Sequence, residues 1–406
     1  MPPGALRIGI ICPGDPFDIG EWSGTPYHMV AALRRHALVT FIVRRPWSSW
    51  FMPVRRASRK YLGGRWDPYF TRWLSAFASR VARRRLVESD CDVIVAVAVS
   101  ALVPLLAAKK PVVLVSDATA SLLTNYNGVW RKLIPYCART AFAQESEAIQ
   151  SAALATFPSD WAAASAVTDH GAKPDHVLRL PWGTNLETHE RQAPGKRAMQ
   201  PFRLLFVGVN WVGKGGQIAL DAFRLLRSQG HDVALDIVGS APDGPLPTDE
   251  GVTFHGFISK NTEEGKDRLR DLYRSAHLLI FPTQYDALGI VTAEAASFGV
   301  PTIAYRTGGV AGNVTHGETG ILLDLQATPA DFARSIAFIC ERPRFYRRLA
   351  ENAYRRARDH LNWDSWARQL VAAMQERVNS GGRASSPVDR EAMIMGPSAC
   401  QETTAA

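Results

Sequence analysis

The stretch FPTQYDALGIVTAEAASFGVP, residues 281–301, decides the fold of the second half of this chain. The apolar residues that end at Pro282 predict a buried parallel strand, and residues 288–298 predict a helix that packs on the same sheet. Asp286 therefore lies in the loop at the carboxyl end of a strand, and Glu294 lies about two turns into the next helix. In open α/β sheets ligands bind at this edge, where the helix amino terminus favours anions.

The two carboxylates at this edge have two interpretations. A carboxylate there can accept hydrogen bonds from vicinal hydroxyls while free backbone amides hold phosphate, and sugar hydroxyls beside a diphosphate describe a nucleotide-sugar. Alternatively, Asp286 only caps the helix and Glu294 is a solvated helix acid. The motifs described below favour the ligand site.

Length and composition predict two globular domains without a membrane span. The 406 residues, of which 46% are hydrophobic, can bury large cores. No apolar run reaches about 18 residues, and the first residues lack a secretory cleavage pattern, so a cytoplasmic location is expected. The five cysteines lack paired or metal-type spacing. The net charge of +9 indicates an anionic partner, for which nucleic acid, an acidic membrane surface and phosphorylated sugars all qualify.

Strands and helices alternate in both halves, which predicts an α/β protein with two parallel sheets covered by helices. The polar stretch 186–201 has no periodicity and is predicted to link a domain over residues 1–185 to a domain over residues 202–360. A helix at 363–378 is expected to pack back on the first domain, and the tail 379–406 is predicted to be disordered. The carboxyl edges of the two sheets would then face each other across a cleft.

A glycine-rich loop, FVGVNWVGKGG at residues 206–216, joins a predicted strand to a predicted helix. Gly208 and Gly213 permit a close approach of backbone to ligand, and Lys214, expected to begin the helix, would anchor a diphosphate. Alternatively, Lys214 is a solvated lysine after a glycine turn. The loop is not a P-loop, because Gly215 stands where a hydroxyl residue would hold magnesium.

Two further glycine motifs follow predicted strands. Gly24 precedes a helix that is predicted to start at Pro26 with Thr25 as its N-cap, and a glycine there can lie against a donor phosphate or an acceptor. An ordinary entry into a helix explains the same residues. Gly308 and Gly309 let backbone amides face the sugar or the diphosphate, and the alternative there is a plain turn.

In their order, these motifs resemble those of glycosyltransferase family 4, the retaining group 1 glycosyl transferases of GT-B fold. The lysine-glycine loop, the FP…EA…GVP block and the trailing TGG carry the resemblance in the second half. In the first half, SDWAA at 159–163 and LPWGTN at 180–185 fit as well, so the similarity covers about residues 5–378. The resemblance implies two Rossmann-like domains that face each other across a cleft.

The resemblance also implies roles for single residues. Lys214 would bind the diphosphate, Glu294 the ribose hydroxyls, and Asp286 the hydroxyls of the transferred sugar. The implied set of further donor contacts consists of loop glycines and helix-start residues, namely Gly24, Gly213, Leu288, Gly289, Ile290, Gly308 and Gly309.

The chain departs from the family pattern at three places. Asp286 stands where the family usually has Glu, and Val209 stands where it usually has Arg. The usual histidine after the fourth strand is missing, and Asp117 and Thr119 occupy that region. Some branches of the family resemble this pattern, which indicates a subfamily trait. Asp117 is then a candidate catalytic residue on the acceptor or donor side, with a helix cap as the alternative, and Thr25 is a candidate on the acceptor side.

Neither a metal site nor a cofactor is expected beyond the nucleotide-sugar, which is a substrate. Asp90-Cys91-Asp92 has a DxD pattern, but it precedes the strand predicted at 93–97, whereas a metal–diphosphate site lies at a strand's carboxyl end. Lysine and helix amides would neutralise the leaving group instead. The resemblance implies attack by the acceptor on the face that the diphosphate leaves, and no covalent nucleophile is evident.

Residues 44–85 combine 12 Arg or Lys with a single acid, Asp67. This composition suits an anionic membrane surface and hence a lipid-linked or membrane-proximal acceptor. A solvated basic helix with its tryptophans packed on the domain is one alternative, and RNA binding is another, although no RNA-binding module accompanies it. The tryptophans interleaved with the basic residues are Trp47, Trp50, Trp66 and Trp73.

The sequence therefore predicts a retaining glycosyltransferase, with a UDP- or GDP-sugar as donor and a glycan or lipid-linked acceptor. Bacterial cell-surface polysaccharide synthesis is the expected setting, in the cytoplasm or peripherally on the inner face of the membrane, without nucleic acid as a partner. Two alternatives stay open: a non-catalytic sugar-nucleotide-binding protein of the same fold, and a non-hydrolysing UDP-sugar 2-epimerase.

Overall fold

The computed structural model describes residues 5–126, 130–186, 199–242 and 244–379. It contains two six-stranded sheets, one from each half of the chain, and every strand pair in both is parallel. The predicted α/β architecture with two parallel sheets is therefore confirmed.

The first sheet has the strand order β2-β1-β3-β4-β5-β6. Its central strands are buried along their whole length, as expected where helices cover both faces of a parallel sheet. The strands are β1 Arg7–Cys12, β2 Leu38–Arg44, β3 Val93–Val97, β4 Val112–Val115, β5 Leu154–Phe157 and β6 Val177–Arg179.

The helices of the first half differ from the prediction in number and in bounds. Residues 71–88, predicted to form one helix, form two helices that are separated at Ser79, whose buried hydroxyl donates to a carbonyl of the preceding turn. The helices at Phe51–Tyr61, Val103–Ala107 and Ala120–Tyr126 were not predicted. The helix predicted to begin at residue 129, which lies outside the described residues, is observed only from Pro135. The helices are α1 Thr25–His36, α2 Phe51–Tyr61, α3 Arg72–Ala78, α4 Arg80–Glu88, α5 Val103–Ala107, α6 Ala120–Tyr126, α7 Pro135–Ser151 and α8 Asp160–Thr168.

The second sheet has the order β12-β11-β10-β7-β8-β9. Its edge strand β12 was not predicted. The strands are β7 Phe202–Gly208, β8 Val233–Gly239, β9 Val252–Gly256, β10 Leu278–Phe281, β11 Thr302–Tyr305 and β12 Gly320–Leu323.

The helices of the second half follow the predicted alternation, with two short additions, α9 and α13. The block at 281–301 forms the predicted strand and helix, although the helix begins at Ile290 rather than at residue 288. The helices are α9 Trp211–Lys214, α10 Gly216–Ser228, α11 Glu263–Ser275, α12 Ile290–Ser297, α13 Val310–Asn313, α14 Pro329–Cys340, α15 Pro343–Asp359 and α16 Trp363–Asn379.

Two predicted helix starts are wrong. Lys214 does not begin the long helix; it ends α9, and Gly215 with φ of 75° separates it from α10. A Cβ atom on Gly215 would lie 2.1 Å from the Pro282 carbonyl oxygen, so only glycine lets the loop approach the end of β10 this closely. Thr25 is not an N-cap, because Gly24, with φ of 87°, takes that position and Thr25 is the first helical residue.

The last helix returns to the first half of the molecule. Trp363, Trp366 and Leu370 of α16 are buried in one apolar cluster with Ile8 and Ile10 of β1. Residues 187–198 and 380–406 lie outside the described residues, so the predicted linker and the predicted disordered tail stay predictions. Among the helices that the structure describes, none has an apolar stretch long enough to cross a bilayer.

Candidate active site

The lysine-glycine loop brings Lys214 to Asp286. Asn210 follows β7 and caps α9, since its Oδ1 accepts a hydrogen bond from the Gly213 amide at 3.0 Å. This cap directs Lys214, whose Nζ lies 2.6 Å from Asp286 Oδ2 and 5.7 Å from the centroid of the Phe281 ring. The side chains of the pair are 22% and 20% exposed, so an anion can approach the ammonium from solvent.

Asp286 also organises the loop after β10. Its Oδ1 accepts hydrogen bonds from the amides of Leu288 at 3.0 Å and Gly289 at 2.6 Å, and its carbonyl accepts one from Gly309 at 3.2 Å. Both interpretations of Asp286 thus hold at once, because one carboxylate oxygen caps the turn before α12 while the other pairs with Lys214. Two of the amides predicted for the donor phosphate are occupied by this carboxylate.

The Gly308-Gly309 pair lies against the same loop. A Cβ atom on Gly309 would lie only 1.9 Å from the carbonyl oxygen of Ala287, and Gly308 has a φ of 49°. The close packing of these backbones keeps the Asp286 loop in place. The pair therefore has a structural role beside the donor contact that the sequence predicts.

Glu294 is fully buried. Its carboxylate bonds to residues other than Lys214 and Asp286. Its Oε1 pairs with Lys260, and its Oε2 accepts a hydrogen bond from the Tyr273 hydroxyl at 3.1 Å. Burial, together with the charge of Glu294, raises the pKa of Tyr273 well above its ordinary value, so its hydroxyl stays a donor. No sequence motif marks Lys260 or Tyr273. Lys260 could have been suspected from its place beyond the carboxyl end of β9, whereas Tyr273 looks like any core aromatic residue.

Asp117 follows β4 at the carboxyl edge of the first sheet. Burial raises the pKa of Asp117 to about 6, and the negative charge of Asp286 adds to the rise. Hydrogen bonds from its own amide, the Ala118 amide and the Trp22 indole offset part of that rise. Since the charge of Asp286 acts on Asp117, the carboxyl edges of the two sheets lie near each other at this point. The neighbouring Thr119 is buried and bonds to the Ser165 hydroxyl at 2.6 Å.

Hydrogen bonds connect the Gly24-Thr25 motif to the LPWGTN motif at residues 180–185. Asn185 Nδ2 donates to the Thr25 hydroxyl at 2.9 Å and to the Ser23 carbonyl at 3.0 Å. The indole of Trp363, at the start of α16, donates to Asn185 Oδ1 at 3.1 Å. Thr25 is buried, and its hydroxyl is engaged in this network where the first domain meets the last helix.

Glu145 is a second buried acid at the carboxyl edge of the first sheet. Burial raises the pKa of Glu145 to about 7, the charge of Asp117 adds to the rise, and a hydrogen bond with Ser100 opposes it. Within the described residues its Oε1 has no hydrogen-bond partner. No sequence motif marks Glu145, which lies in the middle of α7.

The DxD pattern lies at the opposite edge of the first sheet. Asp90 and Asp92 both pair with Arg7, and Asp92 Oδ1 lies 2.7 Å from the Arg7 Nη2 atom. Both acids precede β3 and thus stand at its amino end, far along the strand from the donor loops. Among the residues that the structure describes, no group of three or more His, Cys, Asp or Glu is placed to hold a metal ion.

The basic, aromatic segment contains two partly buried tryptophans, Trp47 and Trp66, and two exposed ones, Trp50 and Trp73. Trp47 packs on Phe51, with ring centroids 5.0 Å apart, and Trp66 packs on a small apolar cluster that contains Phe70. These two rings behave as the packed alternative requires. The large apolar side chains that α2, α3 and their neighbours leave exposed are Trp50, Tyr61, Leu62, Trp73 (69%), Phe77 (60%) and Val81.

Residues 201–342 match the family model for Glycosyl transferases group 1. The D-inositol 3-phosphate glycosyltransferase of Streptomyces bingchenggensis (strain BCW-1) is 35% identical over 241 residues, which cover 54% of this chain and 52% of that protein. The chain spans about half the length, or less, of the curated relatives that it matches.

Two solved structures show the same architecture over nearly the whole chain. Sucrose-phosphate synthase from Thermosynechococcus elongatus superimposes with a TM-score of 0.69 at 17% identity, covering 92% of this chain and 100% of that one. HepE from Anabaena, solved with UDP and glucose, superimposes with a TM-score of 0.60 at 17% identity, covering 91% and 100%. The GT-B fold that the resemblance implied is confirmed.

Proposed function

We propose that the protein is a retaining glycosyltransferase, because residues 201–342 match the family model for Glycosyl transferases group 1 and the chain has a GT-B fold. It takes a UDP- or GDP-sugar as donor and a glycan or lipid-linked molecule as acceptor. The observation that carries the proposal is the accessible Lys214–Asp286 ion pair, whose carboxylate charge also raises the pKa of Asp117. The names of the curated relatives support glycosyl transfer, and the UDP and glucose bound by the Anabaena neighbour support the choice of donor.

Lys214 binds the donor diphosphate in this proposal. Its ammonium leaves the Asp286 carboxylate for phosphate oxygens, and the freed carboxylate accepts hydrogen bonds from the sugar hydroxyls. The bond between the anomeric carbon and the diphosphate oxygen breaks while the acceptor oxygen bonds to the same face of the sugar. The acceptor proton leaves with the nucleoside diphosphate, whose growing charge is neutralised by Lys214 without a metal ion.

Glu294 binds the ribose, and Asp117 lies on the acceptor side. With a pKa raised to about 6, Asp117 changes its protonation state near neutral pH and can donate to or accept from an acceptor hydroxyl. Thr25 and Gly24 support this side by holding the first loop against Asn185.

A donor screen tests the proposal. Thermal stabilisation is measured with UDP-, GDP- and other nucleotide-sugars, because a ligand at about 100 times its dissociation constant stabilises the folded state by roughly 2.7 kcal/mol. We expect UDP or GDP donors to stabilise the protein and to be hydrolysed or transferred, in the presence of EDTA as well as in its absence. Glu294→Gln should weaken both effects. Nucleotide binding without turnover on any donor would favour the non-catalytic binder.

We also propose that the protein associates peripherally with an anionic membrane, as a cytoplasmic enzyme of surface polysaccharide synthesis would. Trp73 and Phe77 lie one turn apart on α3, and the ring of Trp50 lies 6.2 Å from that of Phe77. Arg59 of α2 and Arg80 of α4 are exposed basic residues of the same segment. Such rings sit at head-group level while the cations attract anionic phospholipid.

Vesicle sedimentation tests the membrane contact. We expect binding to vesicles that contain phosphatidylglycerol, weaker binding to pure phosphatidylcholine, and a loss of binding in Trp73→Ser/Phe77→Ser. Phe338→Ser is the matched control, because Phe338 is an exposed aromatic residue of the second domain. Equal binding by the double variant would contradict the assignment of this surface.

A further inference from the structure

Each carboxylate oxygen of Glu294 bonds to a residue that has no role in the function proposed above. Lys260 pairs with Oε1 and the Tyr273 hydroxyl donates to Oε2, and the Glu294 side chain is 1% exposed. A buried carboxylate is costly unless a cation and hydrogen bonds compensate its charge. Each carboxylate oxygen can accept two hydrogen bonds, so one acceptor position remains on each oxygen when the described residues are considered.

The two partners of Glu294 belong to one rigid frame. Lys260 stands just before Thr262, the N-cap of α11, whose hydroxyl accepts from the Gly265 amide at 3.1 Å. Tyr273 lies on α11 itself and stacks on Phe298, with ring centroids 5.5 Å apart and planes 9° from parallel. Since Phe298 directly follows α12, which carries Glu294, α11 and α12 are locked together around the carboxylate.

The segment that carries Lys260 also reaches the first domain. A Cβ atom on Gly20 would lie 3.1 Å from the Asn261 side-chain amide, so the loop before α1 packs directly on the residue after Lys260. Lys260 is therefore adjacent in sequence to a contact between the two halves of the molecule.

We propose that Lys260 and Tyr273 are positioning residues that orient Glu294 so that its two oxygens accept the 2′- and 3′-hydroxyls of the donor ribose. The inference rests on the proposed function, because it needs a nucleotide at this edge. Lys260 compensates the negative charge of the Glu294 carboxylate and fixes its position. The hydrogen bond from Tyr273 fixes the χ3 torsion angle of Glu294. The three residues together distinguish a ribonucleotide from a nucleotide without ribose hydroxyls.

Calorimetric titration with nucleoside diphosphates tests the role. The proteins are the wild type, Lys260→Met, Lys260→Arg, Tyr273→Phe and the control Lys266→Met, which removes a lysine of α11 that pairs with an exposed acid. Each protein is titrated with UDP and GDP and with their 2′,3′-dideoxy analogues. We expect Lys260→Met to lower the affinity for the ribonucleotide by about tenfold to a hundredfold, the range of a charged hydrogen bond, and Tyr273→Phe to lower it less.

The ribose hydroxyls provide the discriminating readout. The dideoxy analogue should bind the wild type and both variants equally well, Lys260→Arg should recover most of the ribonucleotide affinity, and Lys266→Met should change nothing. Wild-type affinity of Lys260→Met for the ribonucleotide, or an equal loss for the dideoxy analogue, overturns the positioning role while leaving the proposed function intact. A wild-type protein that binds neither UDP nor GDP overturns the proposed function itself.

Discussion

The two sheet edges that face each other across the cleft differ in whether the negative charges of their acids are compensated by nearby lysines. On the second sheet, Asp286 pairs with Lys214 and Glu294 pairs with Lys260. On the first sheet, burial raises the pKa values of Asp117 and Glu145, to about 6 and about 7. For neither acid of the first edge is an ion pair with a lysine or arginine observed within the described residues.

This difference indicates a division of labour. Ion pairs hold the second edge in a fixed, charged arrangement that is ready to exchange a carboxylate for a diphosphate. Acids with raised pKa values change their protonation near neutral pH and suit contacts with neutral hydroxyls. The second edge is accordingly expected to respond mainly to charge removal, and the first edge mainly to pH.

Removal of the Lys214 charge should have the largest effect. Lys214→Met is expected to lower kcat with a donor sugar by about 100-fold to 1000-fold, as the loss of a preorganised charge at the leaving group does. It should also abolish the thermal shift produced by UDP or GDP. Lys266→Met, which removes a lysine outside this pair, is the control. An unchanged thermal shift in Lys214→Met would argue against the phosphate contact.

A methyl group at position 309 should disrupt the packing of this backbone against the loop that contains Asp286. Gly309→Ala places a Cβ atom 1.9 Å from the Ala287 carbonyl oxygen, so we expect a loss of about 1–3 kcal/mol in the free energy of unfolding, measured by urea denaturation. Gly244→Ala is the control, because a Cβ atom there meets nothing within 4 Å. Equal stability of the two variants would show that the loops do not pack as closely as described.

Glu145 should make stability depend on pH. Its pKa is raised to about 7 in the folded protein, so the folded state binds more protons than the unfolded chain between about pH 4.5 and pH 7. The free energy of unfolding therefore falls as the pH rises through this window. Glu145→Gln should stabilise the protein at pH 8, on the order of 1 kcal/mol, and have little effect at pH 4. The same gain at both pH values would contradict the burial of an ionised carboxylate.

The smallest expected effect measures the coupling between the two edges. Asp286→Asn removes a negative charge that raises the pKa of Asp117, so it should move that pKa below about 6. Carboxyl-carbon NMR titration follows the change, with Asp221→Asn on the exposed face of α10 as control. If the Asp117 titration is the same in Asp286→Asn as in the wild type, the two acids do not interact across the cleft.

The donor-side loops could be predicted from sequence because their residues sit in local patterns. A strand, a loop acid and a helix follow one another within 281–301, and glycines mark Lys214 in its own loop. The pattern did not show that Asp286 caps its turn and pairs with Lys214 at once, since these partners are 72 residues apart. The predicted helix starts failed at Gly24 and Gly215 because left-handed glycines take the cap positions there.

The sequence by itself determined two parallel sheets, their order along the chain and the acids and lysine at the second edge, because hydrophobic periodicity and glycine spacing are local properties. Only the tertiary structure decided that Lys260 and Tyr273 enclose Glu294, that Glu145 is buried beside Asp117, and that Asn185 ties the first domain to α16. These contacts join residues far apart in sequence, and burial and electrostatic compensation exist only once the elements have packed together.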